Sequence, residues 1–401
     1  MQFYYLYSFI ILSLKQENNK NTKHEKLKVL AAVINNIETD QRVDKVCNSL
    51  LKFGYEVELI GTTLRGKPRL NKSYRTTIIP LKNQNSFKLY AEFNFKLFIN
   101  LLLRADQQTI LLANDLDSLL PFYLVSKIKH LPLVFDSHEI FSELPSLQNR
   151  PKTKKVWKTL ERFLLPRMKY FYTVSNGYAK WFEKEYGVLP EIIRNVPHLQ
   201  KLNDKENFIF FELPRVPEGY KIVLYQGALN ISRGLEYTIK AMQHVDNCVF
   251  WIAGDGPIRK ELEQLVKNLE LTDKVFFLGI VSPSTLKTIT PLADIGISLE
   301  QDLGISYRYA LPNKVFDYFQ ARVPILATYL PDIKETIETY QVGRVIKEHH
   351  EKHIAEEINL MLKQGKSYYR ENLKKAALAC CWENEEPKLK AIFDQIKNEV
   401  H

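Results

Sequence analysis

"SYRYALPNKVFDYFQARVPILA", residues 306–327, runs from a loop through a helix to a strand. Pro312 suits a helix start, because its missing amide hydrogen has no intrahelical partner there. The apolar run Val323-Pro324-Ile325-Leu326-Ala327 follows as a short buried strand. A helix feeding directly into such a strand is the unit of an α/β protein. Lys314 stands at the helix end that is already positive, where a cation does nothing for the helix. An anionic group is therefore expected beside Asn313, Lys314 and Asp317.

The same grammar extends on both sides. "LKVLAAVIN" from Leu27 reads as a buried parallel strand, and "TDQRVDKVCNSLLKFG" as a helix with Val43, Val46, Leu50 and Leu51 on one face and Gly54 as its stop. "YEVELIGT", "QTILLAND", "LPLVFDSHE" and "YFYTVSN" continue the strands, and Asn114, Asp115, Asp117, His138 and Glu139 fall at their carboxyl ends, where open parallel sheets gather ligands. After the proline-bearing stretch 199–217 the pattern restarts with "KIVLYQGAL", "CVFWIAGDGP", "DKVFFLGIV", "ADIGISLE" and the opening stretch. The expected architecture is α/β with two doubly wound Rossmann-like domains facing across a cleft. An extension at 1–26 precedes a first domain at 27–198, a linker at 199–217, a second domain at 218–367 and a charged helical segment at 368–401 that packs across both. Strand order is not readable from the pattern.

Length, composition and charge narrow the function. The chain has 401 residues, 45% hydrophobic and 25% charged, which fits more than one globular domain. A net charge of +10 points to an anionic partner. The excess concentrates at 150–169, "RPKTKKVWKTLERFLLPRMK", where eight Lys or Arg meet one Glu with Trp157, Phe163, Leu164 and Leu165 interleaved. This reads either as a basic amphipathic helix on an anionic bilayer or as a solvated helix face. No nucleic-acid motif is present, so nucleic acid is not an expected partner. Cys47, Cys248, Cys380 and Cys381 show neither metal nor disulfide spacing, which favours the cytoplasm. The apolar start "MQFYYLYSFIILSL" is shorter than the roughly 20 residues that span a bilayer and lacks a signal-peptide leader. It reads as an interfacial anchor or as a start assigned too far upstream.

Three loop-to-helix junctions of the second half can present backbone amides to an anion. "YQGALNISRG" offers Gly227, Gly234 and Arg233; "AGDGP" offers Gly254, Asp255 and Gly256; the opening stretch offers Asn313, Lys314 and Asp317. Each has a plainer reading: glycines as turns, Arg233 and Lys314 as solvated charges, Asp317 as a carboxylate favourable near a helix start. Their coincidence at one sheet edge suits a diphosphate gripped by two cations.

The order of blocks "LLANDLDSLLP", "VFDSHEIFSELPSLQNRP", "TVSNGYAKWF", "YQGALNISRGLEYTIKAM", "WIAGDGPIRKELE" and "LPNKVFDYFQARVPILAT" resembles the family-4, group-1 glycosyltransferases of the GT-B fold, in the bacterial branch that reads "LPNK". The resemblance runs from about Leu27 to the C-terminus. It implies transfer of a sugar from a nucleotide diphosphate donor, bound by the C-terminal domain, to a sugar or lipid-linked acceptor on the N-terminal domain. The resemblance also implies retention of anomeric configuration, and with two cations at the diphosphate no metal or other cofactor is expected. Polysaccharide or glycolipid assembly at the inner face of the plasma membrane is the implied setting. By matching position, Arg233 and Lys314 lie at the donor phosphates, Asp317 contacts the ribose, and His138 lies near the transferred sugar. The catalytic candidates are thus His138, Arg233 and Lys314. Gly227, Gly254, Asp255, Gly256, Asn313 and Asp317 are donor-binding candidates, and Asn114, Asp115 and Glu139 acceptor-binding ones.

Several positions depart from the family pattern. Ala228 replaces an Arg, Arg322 replaces a Gly, and Tyr309 stands where the first acid of the Glu-x7-Glu motif is expected, with Glu300 and Asp302 as substitutes. Asp115-Leu116-Asp117 also mimics a metal-binding Asp-x-Asp, against acceptor binding or a helix cap. A sugar-nucleotide 2-epimerase and a non-catalytic nucleotide-sugar scaffold share the expected architecture and are the rival functions.

Overall fold

The computed structural model describes residues 26–38, 40–62, 71–83, 87–200 and 212–400. All but the last residue of the expected extension at 1–26, and residues 201–211 of the expected linker, lie outside these residues. The N-terminal lobe holds Lys28–Asn36 (β1), Glu56–Thr62 (β2), Arg75–Ile78 (β3), Thr109–Asn114 (β4), Leu133–Ser137 (β5), Tyr170–Thr173 (β6) and Glu191–Ile192 (β7). All pair in parallel in the order β3-β2-β1-β4-β5-β6-β7. Alternation along β1 splits the core: Leu30 and Ala32 face one apolar layer, Val29, Ala31 and Val33 the other. The helices Gln41–Lys52 (α1), Phe87–Arg104 (α2), Leu116–Lys129 (α3), Pro151–Leu164 (α4) and Asn176–Tyr186 (α5) cover these faces.

The C-terminal lobe repeats the plan with Lys221–Gln226 (β8), Cys248–Ala253 (β9), Val275–Gly279 (β10), Ile295–Ser298 (β11), Ile325–Thr328 (β12) and Gly343–Ile346 (β13). Its order is β10-β9-β8-β11-β12-β13, again parallel. The helices are Leu235–Ala241 (α6), Arg259–Asn268 (α7), Pro283–Ile289 (α8), Ile305–Arg308 (α9), Asn313–Gln320 (α10), Pro331–Tyr340 (α11), Glu351–Gln364 (α12), Arg370–Ala379 (α13) and Trp382–Val400 (α14). Strand order reverses between β1 and β4 and between β8 and β11, so each lobe has its crevice there.

The lobes are tied on two sides, with Ser175 and Tyr178 also donating to the carbonyls of Tyr309 and Ser306. Gln320 of α10 donates to the carbonyls of Ala377 and Cys380, seating α13 on the C-terminal lobe. Then α14 crosses over: Trp382 Nε1 donates to Ser49 Oγ (2.9 Å), Glu386 accepts from Ser49 and Lys52, and Tyr55 donates to Phe393 O. On the other side the amide of Gly177, at the start of α5, donates to Asp332 Oδ1 of α11 (3.0 Å). A Cβ at Gly177 would lie 2.2 Å from Asp332 Oδ2 and 2.4 Å from the Tyr309 ring, so only glycine admits this contact. Among the described residues no helix is long and apolar enough to cross a membrane.

Candidate functional site

At the carboxyl ends of β8 and β11, Glu300 sits between the two cations singled out in the sequence. Lys314 Nζ donates to Glu300 Oε1 at 2.9 Å, and Arg233 Nη1 lies 3.6 Å from the same oxygen. Glu300 is 2% exposed and Lys314 8%. Burial alone would raise the Glu300 pKa. Lys314, Arg233 and the hydrogen bond from Ser298 Oγ (2.7 Å) outweigh it and hold the carboxyl below its usual range.

Local chain geometry explains the convergence. Gly234, at φ +70°, lets the 231–234 turn lie against the end of β11, where a Cβ would come 2.3 Å from Leu299 O. The Gln301 amide donates to Ser232 O and pins the turn. Lys314 Nζ rests 4.0 Å from the centre of the Tyr225 ring, and Arg233 stacks 5.4 Å from that of Tyr307. Gly227 borders Lys314, with a notional Cβ 3.8 Å from Nζ. Asn313 is exposed at the first turn of α10. Asp317 lies one turn further on, accepts from Gln226 Nε2 (3.1 Å) and is pushed up to about 6 by burial against the pull of Lys45.

The structure bears on three sequence readings. The glycine-loop amides proposed as an anion cradle already have acceptors: Gly227 donates to Ala253 O, Gly254 to Gly279 O, and Gly256 to the side chain of Asp255. Gly254 and Gly256 exist for close packing, since a Cβ at either would meet the backbone of Gly227 or Leu229. Of the substitutes for the motif's first acid, Glu300 is at the site, whereas Asp302 forms a surface pair with Arg308 (2.8 Å). Tyr309 instead packs against Gly177 of the other lobe. The Arg322 departure also has a physical reason: at φ +59° it occupies a glycine-like position, and its guanidinium satisfies the Phe319 and Gln320 carbonyls that end α10.

In the N-terminal lobe His138 is held between two carboxylates. Nδ1 lies 3.2 Å from Asp115 Oδ2, and the His138 amide donates to Asp115 Oδ1 at 2.8 Å. Nε2 is 3.0 Å from Asp136 Oδ2 but outside hydrogen-bond geometry, so that attraction is ionic. Burial would lower the His138 pKa; Asp115 and Asp136 outweigh it and raise it well above the ordinary imidazole range. Asp136 is gripped by Arg42 through Nε (2.9 Å) and Nη2 (2.7 Å) and is held at about 2, Arg42 and His138 together overcoming its burial. Neither Arg42 nor Asp136 was singled out in the sequence; the carboxylate inside "LVFDS" was the signal.

Asn114 is fully buried and its Nδ2 donates to Ala32 O, which places it in the support of the crevice. Asp115, at φ +59°, makes no capping bond at the start of α3, because its carboxylate is turned to His138. Asp117 points elsewhere. It is buried near Tyr90 with one oxygen unpartnered, and burial followed by Asp115 raises its pKa well above the usual range. The two carboxylates of Asp115-Leu116-Asp117 therefore do not act as one ligand pair. Glu139 is open on one side but walled by both lobes. Desolvation and Asp115 push it up to about 7, against His138 and against Arg233 of the opposite lobe. Glu139 and Arg233 thus feel each other's charge across the lobes, as do Lys45, whose Nζ donates to Asn195 and Val196, and Asp317.

Comparison with known proteins agrees with this geometry. The family model described as Glycosyl transferases group 1 matches residues 206–379, and that described as Glycosyltransferase Family 4 matches 40–198. The chain is 24% identical over 237 residues to an alpha-D-kanosaminyltransferase of Streptomyces kanamyceticus, covering 56% of this chain and 59% of that protein. It is 25% identical over 233 residues to a chitobiosyldiphosphodolichol beta-mannosyltransferase of Candida albicans, covering 53% and 50%. The chain thus spans between half and three fifths of the length of these relatives. Among solved structures, sucrose-phosphate synthase of Thermosynechococcus elongatus superposes with a TM-score of 0.77 at 14% identity, over 93% of this chain and 100% of that one. Anabaena HepE, solved with UDP and glucose, gives 0.68 at 13% identity over 92% and 100%. These likenesses establish the two-lobed GT-B fold.

Proposed function

The chain belongs to the family-4, group-1 glycosyltransferases, and on that footing we propose that it moves a sugar from a nucleoside diphosphate held by its C-terminal lobe to an acceptor held by its N-terminal lobe. The observation that carries this reading is the meeting of Arg233 and Lys314 on one carboxylate oxygen at the strand-order switch. Each cation also rests against a ring, Lys314 on Tyr225 and Arg233 on Tyr307. The ligand-bound HepE structure, with UDP and glucose, supports a nucleotide-sugar donor.

The chemistry follows from charge. An acceptor oxygen forms a bond to the anomeric carbon while the bond from that carbon to the diphosphate oxygen breaks. The bonding pair leaves with the diphosphate, and the acceptor proton passes to a departing phosphate oxygen on the same face, which retains configuration. Negative charge grows on the leaving group as the sugar becomes oxocarbenium-like. Arg233 and Lys314 stabilise that charge more in the transition state than in the ground state. Glu300, kept ionised between them and accepting from Ser298 through Oε2, aligns both cations. Asp317 takes the ribose hydroxyls, and His138, held by Asp115, presents its ring edge to the sugar. With two protein cations at the diphosphate, the proposed reaction needs no metal. The basic stretch 150–169 supports peripheral contact with an anionic bilayer from the cytoplasmic side, in glycan or glycolipid assembly.

A thermal-shift panel of UDP, GDP, ADP and their nucleosides tests donor binding, since a ligand that binds only the folded state raises apparent stability. A shift with at least one diphosphate is expected. No shift with any of them, or donor turnover that needs no acceptor, would overturn the assignment, the latter in favour of an epimerase.

A further inference from the structure

A large apolar cavity stands beside the acceptor half of the site. It measures about 1010 Å3 and lies among α2, α3, α4 and the 141–147 segment, with Leu116, Leu120, Phe141, Trp157 and Leu160 among its walls. It opens to the surface past Arg150, Lys152, Lys155 and Val156, all exposed. It stands at the upper end of the roughly 300–1,000 Å3 typical of small-molecule sites. Its walls are fixed: Trp157 is held edge-on by Tyr90 (5.4 Å) and Phe141 (4.7 Å). Its inner end is Asp117, 5% exposed with one oxygen unpartnered, two residues from the Asp115 that holds His138.

The mouth is basic. Arg150, Lys152 and Lys155 line it and have no carboxylate partner among the described residues, whereas Lys154 and Lys158 on the same helix are paired with Glu143 at 2.6 and 3.6 Å. Val156, 46% exposed between these lysines, continues the apolar wall to the surface. An apolar chamber with a cationic rim is complementary to an amphiphile that carries phosphate between a hydrocarbon chain and its polar head. A water-soluble glycan would leave the walls wet and the rim unpaired.

We propose that this cavity receives the hydrocarbon chain of a lipid-phosphate-linked acceptor, with its phosphate at Arg150, Lys152 and Lys155 and its sugar directed past Asp117 toward His138. The inference rests on the glycosyltransferase reading above and names the acceptor class for it. It also gives α4 a role distinct from resting on a bilayer: the helix forms one wall and the rim of a binding site.

The test titrates the full chain with dodecyl phosphate below its micelle concentration, with dodecyl maltoside and with inorganic phosphate, by calorimetry. Dodecyl phosphate is expected to bind one per chain, at least tenfold tighter than either control. Leu120→Trp, which fills the cavity, and the pair Lys152→Glu with Lys155→Glu, which reverses the rim, should each weaken it at least tenfold while the thermal shift with a nucleoside diphosphate is kept. Unchanged affinity in both variants, or no binding by a wild-type chain that still responds to nucleotide, would overturn the inference. A wild-type chain that binds dodecyl phosphate but no nucleotide would instead strike the donor reading. A disulfide forming between Tyr7→Cys and Val156→Cys would give the cavity to the chain's own apolar first residues, and would likewise overturn it.

Discussion

Replacing Lys314 separates its two duties. Its Nζ lies 2.9 Å from Glu300 Oε1, and both side chains are nearly inaccessible. Lys314→Ala strands a buried carboxylate. Removing one partner of such a pair costs about 3–5 kcal/mol, and because Arg233 at 3.6 Å and the Ser298 hydroxyl at 2.7 Å remain, the lower end, about 3 kcal/mol, is expected. Lys314→Met combined with Glu300→Gln removes both charges and keeps the volume, so stability should return to within about 1 kcal/mol of wild type, as for buried pairs replaced by neutral groups. Turnover should not return. Loss of one preorganised charge stabiliser lowers kcat by about 10²–10³-fold, in the single and the double variant alike. Urea unfolding gives the first quantity and nucleotide release under saturating donor the second. A double variant that recovers stability and turnover together would show that Lys314 serves only to neutralise Glu300.

Three further outcomes follow from the same structure. Asp332, pushed up to about 6 by burial, has a folded pKa above the ordinary value near 3.9; its contribution to stability is complete below that value and is lost as pH rises through 6. Melting temperature should therefore fall between about pH 4 and 6, and Asp332→Asn, which keeps an acceptor for the Gly177 amide, should flatten that fall; an unchanged slope would remove Asp332 from the effect. For Asp317, also near 6, donor KM should rise as pH drops below 6 and the carboxylate is neutralised, and Asp317→Asn should abolish the dependence; a wild-type KM flat from pH 5 to 8 would count against the ribose contact. The chain should sediment with anionic vesicles at low salt and be released at high salt, and absence from the pellet would rule out the bilayer contact.

Much of this was legible before any coordinates. The central strands β1, β4, β5, β8 and β9 are continuous apolar runs, because parallel strands are buried on both faces, and such runs announce themselves. The edge strands β3, β7 and β13 did not: "RTTI", "EI" and "GRVI" are short and half-exposed, so their pairing is set by neighbours far along the chain. Arg233 and Lys314 were readable from loop-to-helix position, but Glu300 was not assigned. Its spacing from Asp317 departs from the family motif, and only the fold brings it under both cations. The glycine loops misled for a related reason: glycine needed for backbone packing and glycine needed for phosphate have the same sequence signature. Asp136 and Arg42, 94 residues apart, form a pair that spacing alone cannot disclose.

The central claim is that Arg233 and Lys314 act on a diphosphate lodged between the lobes. Calorimetric titration with a nucleoside diphosphate and with its nucleoside, on wild type and on Arg233→Ala, tests it most directly. The account predicts that wild type prefers the diphosphate at least tenfold, that this preference shrinks with added salt, and that Arg233→Ala removes most of it while nucleoside affinity stays the same. Equal preference in wild type and variant would contradict it.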